Sequence, residues 1–347
     1  MRDYPFSEVE SYDSSINKNK YNLFNLRKFN VHKNGKCGII IRTKDRPILL
    51  ARAINGVLNQ SYSNWHIYLV NDGGNKEILE KVLKPYIPLL NNSITIIHHE
   101  KSLGMETASN SALKAMKDCN YVVVHDDDDS WHPDFLKEAV SFLENPENSI
   151  FGGVVTDCEV VYEEIKGDTI VEMRRERWGF LPDTPLIDLL NIIPNNLFPP
   201  ICFLIRKEVF DLVGEFNSES PVLGDWDFNL RVLMSCDIGR IPKVLAYYHH
   251  RVTKDAYGNS VHAQGDLHLK YNILYRNSWV RLLLQQNPGY LGLLHMLLLR
   301  LNHIYWDVNS PQWATPVIQF SVRGNKIIEP LRIIYRIIKK VKEKFKR

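Results

Sequence analysis

From residue 37 onward, short apolar runs alternate with segments whose apolar residues recur every three or four positions. "CGIIIRT" (37–43) is an Ile-rich run of the kind carried by a strand buried on both faces. In "ILLARAINGVLNQ" (48–60), Leu50, Ala53, Ile54, Val57 and Leu58 share one helical face. "WHIYLVNDGG" (65–74) predicts a second strand ending in a turn, and "KEILEKVLKPY" (76–86) a second helix stopped at Pro85. "SITIIHH" (93–99), "METASNSALKAMKD" (105–118) and "YVVVHD" (121–126) predict a strand, a helix and a strand. This alternation predicts right-handed crossovers and a mainly parallel sheet with flanking helices, an α/β fold.

After about residue 150 the rhythm loosens. The segments 151–164 and 169–178 predict a β-ribbon, and 185–191 a short helix. A strand is predicted at 201–207, a helix at 224–236 and a strand at 240–250, and from about residue 266 the pattern is helical. No internal repeat is evident. The chain therefore divides into a polar extension (1–33), two halves of one α/β domain (34–150 and 151–255) and a helical C-terminal region (256–347).

Composition changes this picture little: 44% hydrophobic and 24% charged residues suit a globular chain. Charge changes it more. The net charge is +3, but residues 326–347 alone carry nine Lys/Arg against two Glu, which leaves about −4 for the body. Such a body has no electrostatic footprint for nucleic acid. The five cysteines, Cys37, Cys119, Cys158, Cys202 and Cys236, lack metal spacing and read as reduced core thiols. The N-terminus reads as no signal peptide, and "YLGLLHMLLLRLNHI" (290–304) as too short and interrupted to span a bilayer.

The conspicuous chemistry is "HDDDDSWHP" (125–133). Four adjacent carboxylates repel one another unless solvent or a cation screens them. From the cluster alone, a solvated turn with Asp129 or Ser130 capping a following helix and a divalent-metal site at a strand end stand level. Ligands of open parallel sheets bind beyond the carboxyl ends of the strands. At those ends stand Arg42, Thr43 and Asp45, then Asp72, then Lys101 to Gly104, then the aspartates. Four polar loops on one edge favour the metal site.

Six segments in order resemble the family-2 glycosyltransferases of the GT-A fold, covering residues 37–251: "IIIRTKDRPILLARAINGVLNQSYSNWHIYLVNDGG", "LGMETASNSAL", "HDDDDSWHPDFL", "FPPICFLIRKEVFDLVGEF", "LGDWDFNLR" and "AYYHHR". The resemblance implies a nucleotide-sugar-binding half at 34–150 and an acceptor-binding half at 151–255. It implies that Asp126 and Asp128, with D-x-D spacing, hold Mn²⁺ or Mg²⁺ on a nucleotide diphosphate. Asp126 also reaches the donor; Asp129 stands behind the metal or caps a helix, and Asp127 faces elsewhere. Asp72 matches the position that accepts a pyrimidine imide N–H, against its reading as a turn aspartate, and Thr43 and Asp45 match the loop framing the nucleotide. The family often has Arg where this chain has Ser109, which leaves diphosphate neutralisation to the metal, Lys101 or another cation. Asp225 matches the catalytic base, a role compatible with helix capping. Trp226 packs on a sugar face or fills core, and Asp227 and Arg231 form a helix pair. His250, more than His249, matches a residue closing over the metal or diphosphate, with a structural histidine as the alternative; Arg251 is placed to meet phosphate, and Trp131 and His132 to pack and cap.

In the tail, Ile327, Leu331, Ile334, Ile338, Val341 and Phe345 form one apolar stripe among Lys and Arg, the pattern of a helix lying on an anionic membrane surface; the rival is a helix packed on the protein or on a second copy. The expectation is an inverting glycosyltransferase, cytoplasmic and peripheral on the cytoplasmic membrane face. It would move a sugar from a UDP- or dTDP-sugar to a hydroxyl of a glycan or lipid-linked acceptor in polysaccharide biosynthesis, without a covalent enzyme intermediate. Alternatives are a nucleotidyltransferase acting on sugar phosphates and a catalytically silent sugar- or lipid-binding scaffold.

Overall fold

A computed structural model describes residues 27–251, 257–258 and 265–309, with side chains to residue 301. The extension before residue 27 and the basic stripe at 326–347 lie outside the described residues.

The first half follows the predicted alternation: β1 (Cys37–Thr43), α1 (Pro47–Leu58), β2 (Trp65–Asp72), α2 (Lys76–Leu83), α3 (Ile87–Leu90), β3 (Ile94–His99), α4 (Met105–Ala115) and β4 (Tyr121–Val124). All of β1 is buried, as its Ile run requires, and α1 buries Leu50, Ala53, Ile54 and Val57. Pro47 occupies the first turn of α1, where its missing N–H costs nothing. The second helix stops at Leu83, earlier than Pro85, and a single turn, α3, follows the proline. Strands β3-β2-β1-β4 are adjacent in that order and parallel.

The same sheet continues through the second half. After β5 (Ser130–Trp131) and α5 (Phe135–Glu144) come β6 (Phe151–Lys166), β7 (Thr169–Arg177), α6 (Leu189–Ile192), α7 (Val209–Val213, after β8), and α8 (Gly224–Leu233), with β8 at Phe203–Arg206 and β9 at Asp237–His250. Beyond β4 the order is β8-β6-β9-β5, with β7 hairpinned on β6. Here β8 runs antiparallel to β4 and β6, β5 antiparallel to β9, and β6 parallel to β9.

Three local differences from the sequence pattern have visible causes. Pro200 starts a 3₁₀ turn, so the strand expected from 201 pairs only from Phe203. The helix expected at 185–191 begins at Leu189, because Asp188 caps it and Leu186 bridges Gly239 of β9. β9 starts at Asp237, three residues early, where Phe151 of β6 pairs with it. All five cysteines are free.

The chain divides into two compact units, 1–272 and 273–347. Two further helices are described, Gly265–Gln286 and Tyr290–Asn309. In the second, Leu291, Met296, Leu298 and Leu301 are exposed. Among the described residues no helix is long and apolar enough to cross a membrane.

Candidate active site

The three valines of β4 are buried, and the chain then turns sharply, with the Asp129 N–H donating to the Asp126 carbonyl at 3.2 Å. Ser130 and Trp131 pair at once with Tyr247 and Ala246 of β9. The aspartate turn is thus clamped between β4 and β9, with Trp131 stacked on Phe135.

Arginines answer the self-repulsion. Arg42, at the end of β1, grips both oxygens of Asp126 at 2.5 and 2.7 Å. Arg46 pairs with Asp127 at 2.6 Å and with Asp128 at 3.2 Å, and buried Arg251 closes on Asp128 from the other side. Burial would push the Asp128 carboxyl up, but Arg46, Arg251 and Arg52 outweigh it and hold it below the ordinary value. Asp127 is fully buried; burial raises it to about 7 against Arg46 and the Thr43 hydroxyl, which donates at 2.7 Å. Asp129 caps no helix: it accepts from the His249 backbone at 3.0 Å, and burial and its neighbouring aspartates push it well up. Behind the cluster, His249 bridges Glu163 (2.6 Å) and Ser130 (2.7 Å), while Glu163 also binds Arg52 and Arg251.

A cavity of about 470 Å³ opens beside Asp126. Across it stands the start of α8. Leu223, just before the helix, is left-handed (φ 64°, ψ 19°), an uncommon state for a branched residue. It turns Asp225, half-buried, to the cavity wall. Asn196 donates to Asp225 at 2.7 Å and is itself held by Asn229 at 3.1 Å. Burial raises the Asp225 pKa, opposed by its bond from the Trp226 N–H and by Arg42. A carboxylate so held is an oriented proton acceptor.

The remaining sequence candidates fall in varied settings. Asp72 receives four hydrogen bonds at 2.7–3.1 Å, from His99, Ser102, Leu103 N and Gly104 N, which together order the loop after β3. Its four lone-pair positions are occupied, so a pyrimidine imide N–H would have to displace one of these donors. Asp45 (φ 52°) accepts from Asn75 N at 2.7 Å. Lys101 is exposed, its backbone packed on Gly73. Trp226 is 1% exposed with its indole N–H on the Ile192 carbonyl, a core packing role at the cavity wall. The His250 ring lies edge-on to Tyr162 and Tyr248. Arg231 pairs with Asp227 at 2.9 Å.

Although burial works the other way, the bonds from His99 and the Ser102–Gly104 loop hold Asp72 below the ordinary carboxylate value. Its stabilisation is therefore complete above about pH 4 and is lost as pH falls through the folded pKa. Asp72→Asn puts an amide N–H against one backbone donor, Leu103 N or Gly104 N, and is expected to cost about 1–2 kcal/mol, or about 2–8 °C in melting temperature. The gap from wild type should narrow in acid. Identical melting curves at neutral pH would show that these bonds stabilise nothing.

Among the described residues no three His, Cys, Asp or Glu side chains gather as a metal cage. Mg²⁺-type sites commonly use only one or two carboxylates and take the rest from phosphates and water. Asp126, its side chain 23% exposed at the cavity, fits such a site. Asp128, its side chain 10% exposed and held by Arg46 and Arg251, would join it by exchanging an arginine for the ion, and His250 is packed among tyrosines. Reading the sequence missed Arg46, Arg52, Glu163, Asn196 and Glu106. The available signal was charge balance: buried adjacent aspartates demand cations nearby.

The model of glycosyl transferase family 2 matches residues 38–214. An uncharacterized glycosyltransferase of Bacillus subtilis, YwdF, is 26% identical over 214 residues, covering 61% of this chain and 74% of that protein. A PGL/p-HBAD biosynthesis glycosyltransferase of Mycobacterium bovis is 26% identical over 215 residues, covering 62% and 73%. The crystal structure of S. aureus TarS 1-349 superposes with a TM-score of 0.50 at 19% identity, covering 62% of this chain and 60% of that one, and was also solved with UDP. That likeness shows the fold: both are GT-A.

Proposed function

The chain belongs to glycosyl transferase family 2 and is a glycosyltransferase, and from that premise we propose that it inverts the anomeric centre of a UDP- or dTDP-sugar. The acceptor is a hydroxyl of a glycan or lipid-linked glycan. The observation that carries this reading is Asp225, half-buried at the start of α8 and facing the cavity that Asp126 and Arg42 line from the other side. The acceptor oxygen attacks the anomeric carbon, its proton passes to Asp225, and the bond to the diphosphate breaks with its electron pair leaving on the diphosphate oxygen. Asn196 keeps one Asp225 oxygen oriented, and the upward shift of its pKa strengthens it as a base. Arg42 fixes Asp126, while Arg46 and Thr43 hold the aspartate turn.

Asp126 and Asp128 would hold Mn²⁺ or Mg²⁺, which when bound neutralises charge on the departing diphosphate. Thr43, Asp45, Asp72 and Lys101 surround the nucleotide in this reading, and Asp72 contributes by ordering its loop. The family match favours glycosyl transfer over nucleotidyl transfer. A panel of UDP- and dTDP-sugars with Mn²⁺ tests the function directly: a matching donor raises the melting temperature by mass action and releases nucleoside diphosphate on turnover. Binding without release, with every acceptor offered, would favour a silent scaffold.

The membrane reading rests on the basic apolar stripe of 326–347 and the exposed leucines of Tyr290–Asn309. Full-length protein is expected to sediment with anionic vesicles and to be released by salt, and a chain ending at Gly324 to stay in solution. Equal sedimentation of the two would reject the tail as anchor. A change of oligomeric state alone would make the stripe a contact between copies.

A further inference from the structure

Glu106, in the first turn of α4, has no part in the reading above. It is 7% exposed and lines the cavity with Asp225, Asp126 and Arg42. Among the described residues it meets one cation, Arg42 Nη1 at 3.9 Å, beyond hydrogen-bond range. The Glu106 oxygens open onto the cavity and no donor among the described residues meets them, so the donors that satisfy the carboxyl belong to whatever fills the cavity, water or ligand. The backbone makes room for it: a Cβ on Gly224 would stand 2.4 Å from Glu106 Cδ and Oε1. Any side chain at 224 would thus push the carboxyl away from the start of α8, next to Asp225.

Charge selects among possible occupants. Arg42 is taken up by Asp126, which leaves Glu106 and Asp225 as the acidic end of the cavity, where phosphate and carboxylate are disfavoured and neutral hydroxyl donors are favoured. Position narrows it further. In the proposed reaction the diphosphate lies toward Asp126 and the acceptor hydroxyl at Asp225, and the ring joining them passes Glu106. Trp178 and Tyr248, on the same cavity, offer apolar faces for such a ring.

We propose that Glu106 accepts hydrogen bonds from ring hydroxyls of the transferred sugar and so determines which donor sugar the enzyme uses. This rests on the glycosyltransferase reading of the same cavity. The discrimination available is large, because an analogue lacking the hydroxyl leaves the carboxyl unpaired again.

The test measures binding of UDP, dTDP, UDP-glucose, UDP-galactose and UDP-N-acetylglucosamine, and the dTDP-hexoses, to wild type, Glu106→Gln and Glu106→Ala. The readout is the affinity gained by adding the sugar to the free nucleotide. For the preferred donor this gain is expected to fall about tenfold or more in Glu106→Ala. Glu106→Gln, whose amide oxygen still accepts, should fall between. Retained binding of free nucleotide certifies the fold of each variant. An unchanged gain in Glu106→Ala overturns the proposal, as does an equal loss for free nucleotide and nucleotide-sugar, which would make Glu106 a support for Arg42 only. If wild type bound none of the nucleotides, the failure would lie with the donor reading itself, and the proposal would fall with it.

Discussion

Asp225→Asn is expected to keep the wild-type affinity for nucleotide-sugar and to lose about 10²-fold or more in turnover. The amide cannot accept the acceptor's proton, yet it preserves the volume and can still receive the Trp226 N–H at the start of α8. Asn196, which now donates to the carboxylate, can turn its own amide to match, at the loss of its bond from Asn229 unless that amide turns with it. The fold should therefore survive while the chemistry fails, which separates the base role from a structural one: Asp225 stands inside α8, whose N-cap is Leu223, and does not cap the helix as its sequence position suggested. Because burial raises the Asp225 pKa, the acid limb of the pH–rate profile should lie above the usual aspartate range. Near-normal turnover in the variant would leave Asp225 a purely structural residue in the first turn of α8. A product that keeps the donor's anomeric configuration would reject the single displacement.

Excess EDTA is expected to reduce transfer by about 10²- to 10³-fold, and added Mn²⁺ or Mg²⁺ to restore it, since such an ion contributes several kcal/mol of charge stabilisation. Nucleotide-sugar affinity should fall in parallel. Chelation is the cleaner measurement because of how the aspartates are held. Neutralising Asp128 would leave Arg46 and Arg251 facing a lost partner, and breaking a buried pair costs about 3–5 kcal/mol. An inactive Asp128→Asn would therefore report on the fold as readily as on the metal. Undiminished transfer in excess EDTA would reject metal assistance and leave the arginines as the neutralising cations.

The first half of the fold was legible because each element depends on neighbours close in sequence. The Ile run of 37–43 and the one-sided helix of 48–60 carry their burial in their own periodicity. The order β8-β6-β9 was not legible, because it follows from pairings that no local pattern encodes, such as Gly153 with Ile205. The same separation hid the site's wiring. Asp72 reads as a turn residue or a base reader, and its four donors lie 27 to 32 residues away. The aspartate run announced a site, but Arg251 reaches it across 123 residues. Glu106 sat inside a helical pattern as an ordinary first-turn acid, and only the proximity of Gly224 exposes its position.

Leu223 carries a consequence for how this enzyme can change. A left-handed backbone at a non-glycine residue costs about 1–2 kcal/mol, and glycine there would recover much of it. Yet the leucine side chain lines the cavity and its peptide aims the helix that bears Asp225. Selection for heat tolerance and selection for turnover therefore pull this position in opposite directions. A library screened on thermal survival should enrich glycine at 223, and one screened on product formation should purge it.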